Sequence, residues 1–368
     1  MTTTTVASPR VWTGGPLGRH DPVPLPGFLR EHARDLVGKP ALVDGPPGRT
    51  LSYRQLADGV ERVAAGLAAR GVGRGDVLAI SSPNLPEYAL ALYGAMAAGG
   101  AVTGANPLLT ADELAGQLAD AGASVLVTVP PFLETARAAA EKAGVGEVVV
   151  FGESDGATPF ASLLGAGGPP PAVELDPARD LAVLPYSSGT TGLPKGVELT
   201  HANLVANARQ IQAALGFTAD DVIVAVAPFF HAIGLNLILP CSLRAGATVV
   251  SMPSFDLAGF LGLIQDHRAT CTIVPAPTRR PASSRSPTWP GGPMWTPPSS
   301  RRGSPSGSPP TSGSATSASS TRSRGRPRAS CCAAPWSRRS GPAPDRPRPR
   351  SSPGAGPPRP AGRRRRGC

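Results

Sequence analysis

Tyr186-Ser187-Ser188-Gly189-Thr190-Thr191-Gly192-Leu193-Pro194-Lys195-Gly196 follows a short apolar run, Leu181 to Leu184, and precedes Val197 to Leu199, which opens a second strand. The block places four Ser/Thr hydroxyls, three glycines and one lysine between two strand-like segments. Glycines let several backbone N–H groups converge on an anion, and the hydroxyls add further donors. Lys195 brings a compact positive charge on a flexible stem. That donor set suits a polyphosphate. It is not the ordinary P-loop, in which the lysine is followed by Ser or Thr, because Pro194 precedes Lys195 and Gly196 follows it. The competing reading is a polar surface loop, which the length of the block and its two flanking strands argue against. Thr200 is placed to cap a helix over His201 to Gln210.

Upstream, strand-like and helix-like segments alternate. Pro40 to Asp44 is a short apolar run, and Leu51 to Arg70 reads as a helix with Leu56, Val60, Val63 and Leu67 at spacings of three and four behind a capping Ser52. Val77 to Ile80 is a compact strand. Glu87 to Gly99 is a small-residue helix. Ala111 to Ala121 is a helix begun by Thr110 with Glu113 three residues on, a capping box. Strands Ser124 to Val129 and Glu147 to Phe151 flank a helix over Phe132 to Gly144, and Gly152 to Pro177 reads as a loop-rich connection. Such alternation predicts an α/β fold of stacked βα units around a mostly parallel sheet, with ligands beyond the carboxyl ends of the strands. Further on, Asp221 to Ala227 is strand-like and ends in Pro228-Phe229-Phe230-His231-Ala232-Ile233-Gly234. Taken by itself, His231 reads as a packed or hydrogen-bonded histidine.

Tyr186 to Gly196, with Glu198, Thr200, His201 and Asn203 behind it, resembles the first signature of the adenylate-forming, AMP-binding superfamily, and in particular its acyl-CoA synthetases and 4-coumarate:CoA ligases. The resemblance implies the N-terminal lobe of that fold and an ATP-dependent acid:CoA ligase. A carboxylate would attack the α-phosphate of Mg2+-bound ATP to give an acyl-adenylate, and coenzyme A would then displace AMP. It further implies that Ser187, Ser188, Thr190, Thr191 and Lys195 hold the β- and γ-phosphates, with Gly189 and Gly192 in the same nucleotide-binding set. Lys195, Thr190 and His231 form the implied catalytic set. Pro228 to His231 is similar to the second signature, which implies that His231 positions the carboxylate and acyl chain. Ile233 stands where 4-coumarate:CoA ligases commonly carry a tyrosine, which leaves room for an aliphatic acid. Thr50 to Tyr53, Gly75 to Val77 and Asn84 to Glu87 continue the resemblance, and packing and turns are the work expected of them. Gly100-Ala101 and Asn106-Pro107 look like a turn of the family. The resemblance runs over residues 15 to 276.

The chain changes character there. Residues 1–277 hold 17 Lys and Arg against 24 Asp and Glu, a net −7, whereas residues 278–368 hold 19 Arg against one acid, a net +18. The second segment has 19 prolines and no Leu, Ile, Val, Phe, Tyr, His, Asn, Gln, Glu or Lys. It offers too little apolar surface to offset the entropy of ordering its backbone, so disorder is expected. Two segments follow from this: a partial AMP-binding domain over 1–277 and an Arg/Pro/Ser-rich tail over 278–368. The tail is expected to derive from a shifted reading frame. It lacks the Tyr-Gly-x-Thr-Glu adenine segment, the ribose aspartate and the distal lysine that the resemblance implies, so impaired activity is expected. Strands near 270–275 are then expected to expose apolar surface and sheet edge. Two other readings stay open at this stage: a nonribosomal adenylation-type domain, and a basic-tailed protein that binds nucleic acid nonspecifically through its arginines.

Cys241 and Cys271 sit in apolar surroundings and read as buried side chains, and no Cys/His metal spacing occurs. No signal peptide or membrane span is evident, so a soluble cytoplasmic protein with a carboxylic acid and CoA as small-molecule partners is expected.

Overall fold

The computed structural model describes residues 22–33, 35–45, 48–187 and 194–274. The chain divides into two units, Met1–Cys331 and Cys332–Cys368, and every described residue belongs to the first. The tail over 278–368, its expected disorder and the boundary at 277/278 lie outside the described residues.

Two sheets organise these residues. The larger has seven strands in the order β11 (Leu199–Thr200), β8 (Leu181–Val183), β4 (Ala101–Ala105), β3 (Val77–Ser81), β5 (Ala123–Thr128), β6 (Glu147–Val150) and β7 (Thr158–Pro159). All its pairings are parallel except that of β8 with β11. The second has five strands in the order β14 (Cys271–Thr272), β12 (Val222–Ala225), β13 (Thr248–Ser251), β1 (Pro40–Asp44) and β2 (Thr50–Ser52), with only β2 antiparallel. A separate two-stranded ladder joins β9 (Tyr186–Ser187) to β10 (Lys195–Gly196). Parallel strands need crossover connections, and the helices α1 (Leu25–Ala33), α2 (Tyr53–Ala68), α3 (Pro86–Ala97), α4 (Ala111–Ala121), α5 (Leu133–Ala143), α6 (Ala161–Leu164), α7 (His201–Leu215), α8 (Leu239–Ala245) and α9 (Leu257–Asp266) serve as those connections or flank them.

Local chemistry sets several boundaries. α4 begins where Thr110 Oγ1 accepts from Glu113 N–H while Glu113 returns a bond to the Thr110 backbone, and it ends at left-handed Gly122. The helix expected from Leu51 begins instead at Tyr53. Ser52 is extended there and its hydroxyl accepts from Gln55 N–H, which leaves Leu51 to pair with Leu42 in the sheet. α7 runs past Gln210 to Leu215, where left-handed Gly216 stops it. The stretch read as a turn at Gly100-Ala101 opens β4, which lies between β3 and β8 near the middle of the larger sheet. The strand expected over Val197 to Leu199 is shorter and later: Val197 is exposed and its N–H donates to Pro185 O at 2.9 Å, so pairing with β8 resumes only at Leu199.

α2 and α3 pack closely. A Cβ placed at Gly94 of α3 would lie 2.4 Å from Val63 Cγ1 of α2, so only glycine allows this approach. Burial of apolar surface, here and elsewhere in the core, is the main favourable contribution to folding. Cys241 and Cys271 are buried, as expected. Among the described residues β14 is the outermost strand of its sheet, and Phe255, Leu257, Leu261 and Val274 are each more than half exposed nearby in sequence.

Candidate functional site

The parallel strands of the larger sheet end on one side, and β8 leaves the sheet at Val183. Leu184 N–H still donates to Val102 O at 2.9 Å, then Pro185 turns the chain into β9. The ladder of β9 with β10 sets Ser187 opposite Lys195 and Tyr186 opposite Gly196. Two members of the expected phosphate-binding set are thus brought together from eight residues apart. Ser187 and Lys195 are both exposed, and Lys195 forms no ion pair among the described residues. Ser188, Gly189, Thr190, Thr191 and Gly192 lie outside the described residues. The base of the ladder is fixed by Tyr186. Its ring lies against Gly196, where a Cβ would stand 3.2 Å from the phenol carbon, and its hydroxyl donates to Asp120 Oδ2 at 2.5 Å. Burial first, then the hydrogen bond and charge of Asp120, push the Tyr186 phenol far above its usual range, so it remains a donor.

The second expected element arrives from the other sheet. β12 ends at Ala225, and Pro228 to His231 turn back over the carboxyl end of β4. Asn84, only 2% exposed, clamps this turn: its Nδ2 donates to Ala225 O at 3.1 Å and Ala227 O at 3.0 Å, and its Oδ1 accepts from Phe229 N–H at 2.7 Å. Buried amides satisfied in this way are rigid. Phe229 is fully buried, with its ring centroid 5.7 Å from that of Tyr88. Phe230 approaches β4 so closely that a Cβ on Gly104 would lie 2.9 Å from Phe230 Cα and 2.9 Å from the Tyr88 hydroxyl.

His231 is exposed, against the expectation of a packed or bonded ring, because the turn buries Phe229 and sends the next side chains outward. Its carbonyl accepts from Leu235 N–H at 2.9 Å. A π-helical segment, Ile233–Ile238, then leads into α8. Gly234 sits so near the Pro228 carbonyl that a Cβ would be 2.1 Å from that oxygen. Wider turns of this kind recur at functional sites, where they aim side chains that a regular helix would not.

Both elements therefore meet over β4. Thr103 Oγ1 donates to Leu184 O at 2.8 Å on the approach to the ladder, and Gly104 receives the Phe230 turn. Gly104 and Asp120 touch these elements and were not singled out in the sequence, and Asn84 was named there only within the resemblance, with packing and turns expected of it. The ladder can present the Lys195 charge and the Ser187 hydroxyl to an anion, and the second turn leaves the His231 imidazole exposed.

Comparisons with known proteins bear on the family and the fold. The family described as AMP-binding enzyme matches residues 29–281. The chain is 40% identical over 261 residues to 4-coumarate-CoA ligase 5 of Oryza sativa subsp. japonica, covering 69% of this chain and 48% of that protein. It is 42% identical over 240 residues to 4-coumarate-CoA ligase 3 of the same organism, covering 64% and 43%. Among solved structures, a long-chain-fatty-acid-CoA ligase from Archaeoglobus fulgidus aligns with a TM-score of 0.66 at 26% identity, over 71% of this chain and 53% of that one. The chain spans about half the length of the curated relatives it matches. By the match over residues 29–281, this chain belongs to the AMP-binding enzyme family.

Proposed function

We propose that this chain carries the polyphosphate- and acyl-binding half of an ATP-dependent acid-CoA ligase. The reaction converts a carboxylic acid, ATP and CoA to acyl-CoA, AMP and diphosphate through an acyl-adenylate. The observation that carries this reading is Lys195, exposed and without an ion pair among the described residues, held opposite Ser187 at the carboxyl end of β8. A charge left in water beside a hydroxyl suits a mobile anion better than a structural role. Lys195 and Ser187 would take the β- and γ-phosphates with Ser188, Thr190 and Thr191, and His231 would orient the acid beside them. Mg2+ enters with the nucleotide, and CoA is the second-step acceptor.

We assign the acid to the aryl and medium-chain class, 4-coumarate included. The relatives named as 4-coumarate-CoA ligases support the aryl member. Ile233, two residues after His231, supports an aliphatic chain as well. A cytoplasmic setting goes with this reading, and no helix among the described residues is long and apolar enough to cross a membrane. For the chain as it stands we propose weak or absent turnover. Residues 278–368 contain no Tyr and no Lys, so they supply neither the adenine segment nor the distal lysine that the resemblance implies.

Calorimetric titration with Mg-ATP and pyrophosphate exchange over a panel of aryl and alkyl acids test these statements. The chain is expected to bind Mg-ATP and to exchange poorly, and Lys195→Ala should weaken the binding. In a version whose frame restores the downstream motifs, Lys195→Ala should slow pyrophosphate formation roughly ten- to a thousand-fold, the range for losing one transition-state charge partner. Unchanged rates would remove Lys195 from the site.

A further inference from the structure

We propose that Asp120 is a positioning residue for the phosphate-binding ladder, acting through Tyr186; this rests on the nucleotide reading of Ser187 and Lys195. Asp120 lies in the last turn of α4, three residues after Gln117, so both project from one face of the helix. Gln117 Nε2 donates to Thr103 Oγ1 at 3.0 Å and to Gly104 O at 3.1 Å. Thr103 passes the contact to Leu184 O at 2.8 Å. Two residues beyond Leu184, the Tyr186 phenol reaches Asp120 at 2.5 Å. One helix face therefore grips the chain on both sides of Pro185, where β8 becomes β9.

The consequence for the site runs through Tyr186. Its ring packs on Gly196, the neighbour of Lys195, and its backbone pairs with Gly196 across the ladder. Fixing the phenol fixes the ring, and the ring limits where Gly196 and hence Lys195 can lie relative to Ser187. Asp120 is exposed and makes its described side-chain bond only to this phenol, so the link can be cut without opening the core. Gln117, by contrast, is tied to β4 itself.

A lysine-specific endoprotease tests the link on the full chain, because the chain has three lysines, Lys39, Lys142 and Lys195, and the arginines of residues 278–368 are not cut. Asp120→Ala should raise the initial rate of cleavage after Lys195 by about three- to ten-fold relative to cleavage after Lys142, as expected when one hydrogen bond is lost from a local opening equilibrium. Alanine favours helix over aspartate, so the melting temperature should not fall. Tyr186→Phe should match Asp120→Ala, the double variant should go no further than either, and Asp120→Asn, which keeps an acceptor oxygen, should fall between. Cleavage unchanged in Asp120→Ala, or effects that multiply in the double variant, would overturn the proposal. Mg-ATP, used as the probe, should slow cleavage after Lys195 in the unaltered chain and protect Asp120→Ala about three-fold less well, the lower end of the same hydrogen-bond range. Faster cleavage in Asp120→Ala with no protection in either protein would sink the nucleotide reading while leaving the hold on the ladder in place.

Discussion

The ladder around Lys195 and the turn around Phe229 lie over the same strand, β4, yet they are held in opposite ways. The ladder has two residue pairs, is exposed on the β10 side, and is tied to α4 by one phenol. The turn is buried at Phe229, bonded three times by Asn84, and pressed against Gly104 and Gly234. On the function proposed above, the difference suits what each would handle. A lysine that must stay charged belongs in water, where desolvation costs nothing, and a weakly held backbone can open at low free energy. A pocket that selects an acyl chain by shape needs a rigid wall. Stability and adaptability are divided between two loops only one strand apart.

The largest break in this comparison is Asn84→Ala. It leaves two carbonyls and one N–H without the partners they have now, all in a dry place, and the expected loss is about 3–4 kcal/mol of unfolding free energy at roughly 1 kcal/mol or more per bond. Urea denaturation measures it. Cleavage after Lys195 under native conditions should change far less than overall stability does. A proportional rise in both would show that the ladder and the turn open as one unit, and the division would be wrong.

His201 gives the next largest effect, and it acts on the exit from the ladder. Its ring is fully buried at the start of α7, with Nδ1 accepting from Leu25 N–H of α1 at 3.3 Å. Burial lowers its pKa to about 4, against a smaller opposing pull from Asp180. A histidine depressed in the folded state stabilises fully above its unfolded pKa near 6.5, and that contribution is lost as pH falls toward 4. The amount is about 3 kcal/mol at 1.4 kcal/mol per unit. Asp44 acts the other way: burial raises its carboxyl to about 6 despite Arg49, so the folded chain holds an extra proton between the unfolded value of 3.8 and 6 and gains as pH falls. Comparison with His201→Gln, which keeps Asp44, isolates the histidine. The variant's stability should depend less on pH between 6.5 and 4, and equal slopes would remove His201 from the account. Hydrogen exchange should show α1 and α7 loosening before the Asn84 clamp.

Much of this frame could be read along the chain, and what could not has a common cause. α4 was legible to the residue because Thr110, Glu113 and the glycine after Ala121 are local signals. β1 was legible as a short apolar run before glycine and two prolines. β4 was not: Ala101-Val102-Thr103-Gly104-Ala105 is small and contains glycine, and its place near the middle of the sheet comes from neighbours supplied by β3 and β8. The π-helical segment carries no local mark either, since the contact that demands Gly234 is with Pro228 O. At the site, the chemistry of Ser187 and Lys195 was visible in their types and spacing. Asp120 was not, being 66 residues from the phenol it receives.

Gly104→Ala sharpens the comparison at the point where the two regions touch one strand. Its new methyl would meet Phe230 backbone at 2.9 Å, which cannot yield as a flexible side chain would. Overpacking of this kind costs about 1–3 kcal/mol. The displacement should fall on the turn, altering fluorescence quenching of an acyl-site probe while Mg-ATP affinity stays within about two-fold, well under the ten-fold that 1.4 kcal/mol would bring. Equal loss of both would mean that β4 transmits strain to the ladder through Thr103.

The smallest expected effect belongs to Gly196→Ala, the mirror of that change on the exposed side. A methyl there would stand 3.2 Å from the Tyr186 ring, a contact the ring can relieve by moving a few tenths of an ångström. Stability should therefore shift by no more than about 0.5 kcal/mol, the usual range for surface substitutions. The ring cannot move without lengthening the 2.5 Å bond to Asp120, so the same small displacement should be read at Lys195. Cleavage after Lys195 should rise about two- to three-fold with the melting temperature unchanged, less than the loss of a whole hydrogen bond produces. The rise should vanish when Asp120 is already alanine, because the constraint it disturbs is then gone. A rise of the same size in both backgrounds would place the effect in the ladder's own pairing, and the phenol would no longer be what aligns Lys195 with Ser187.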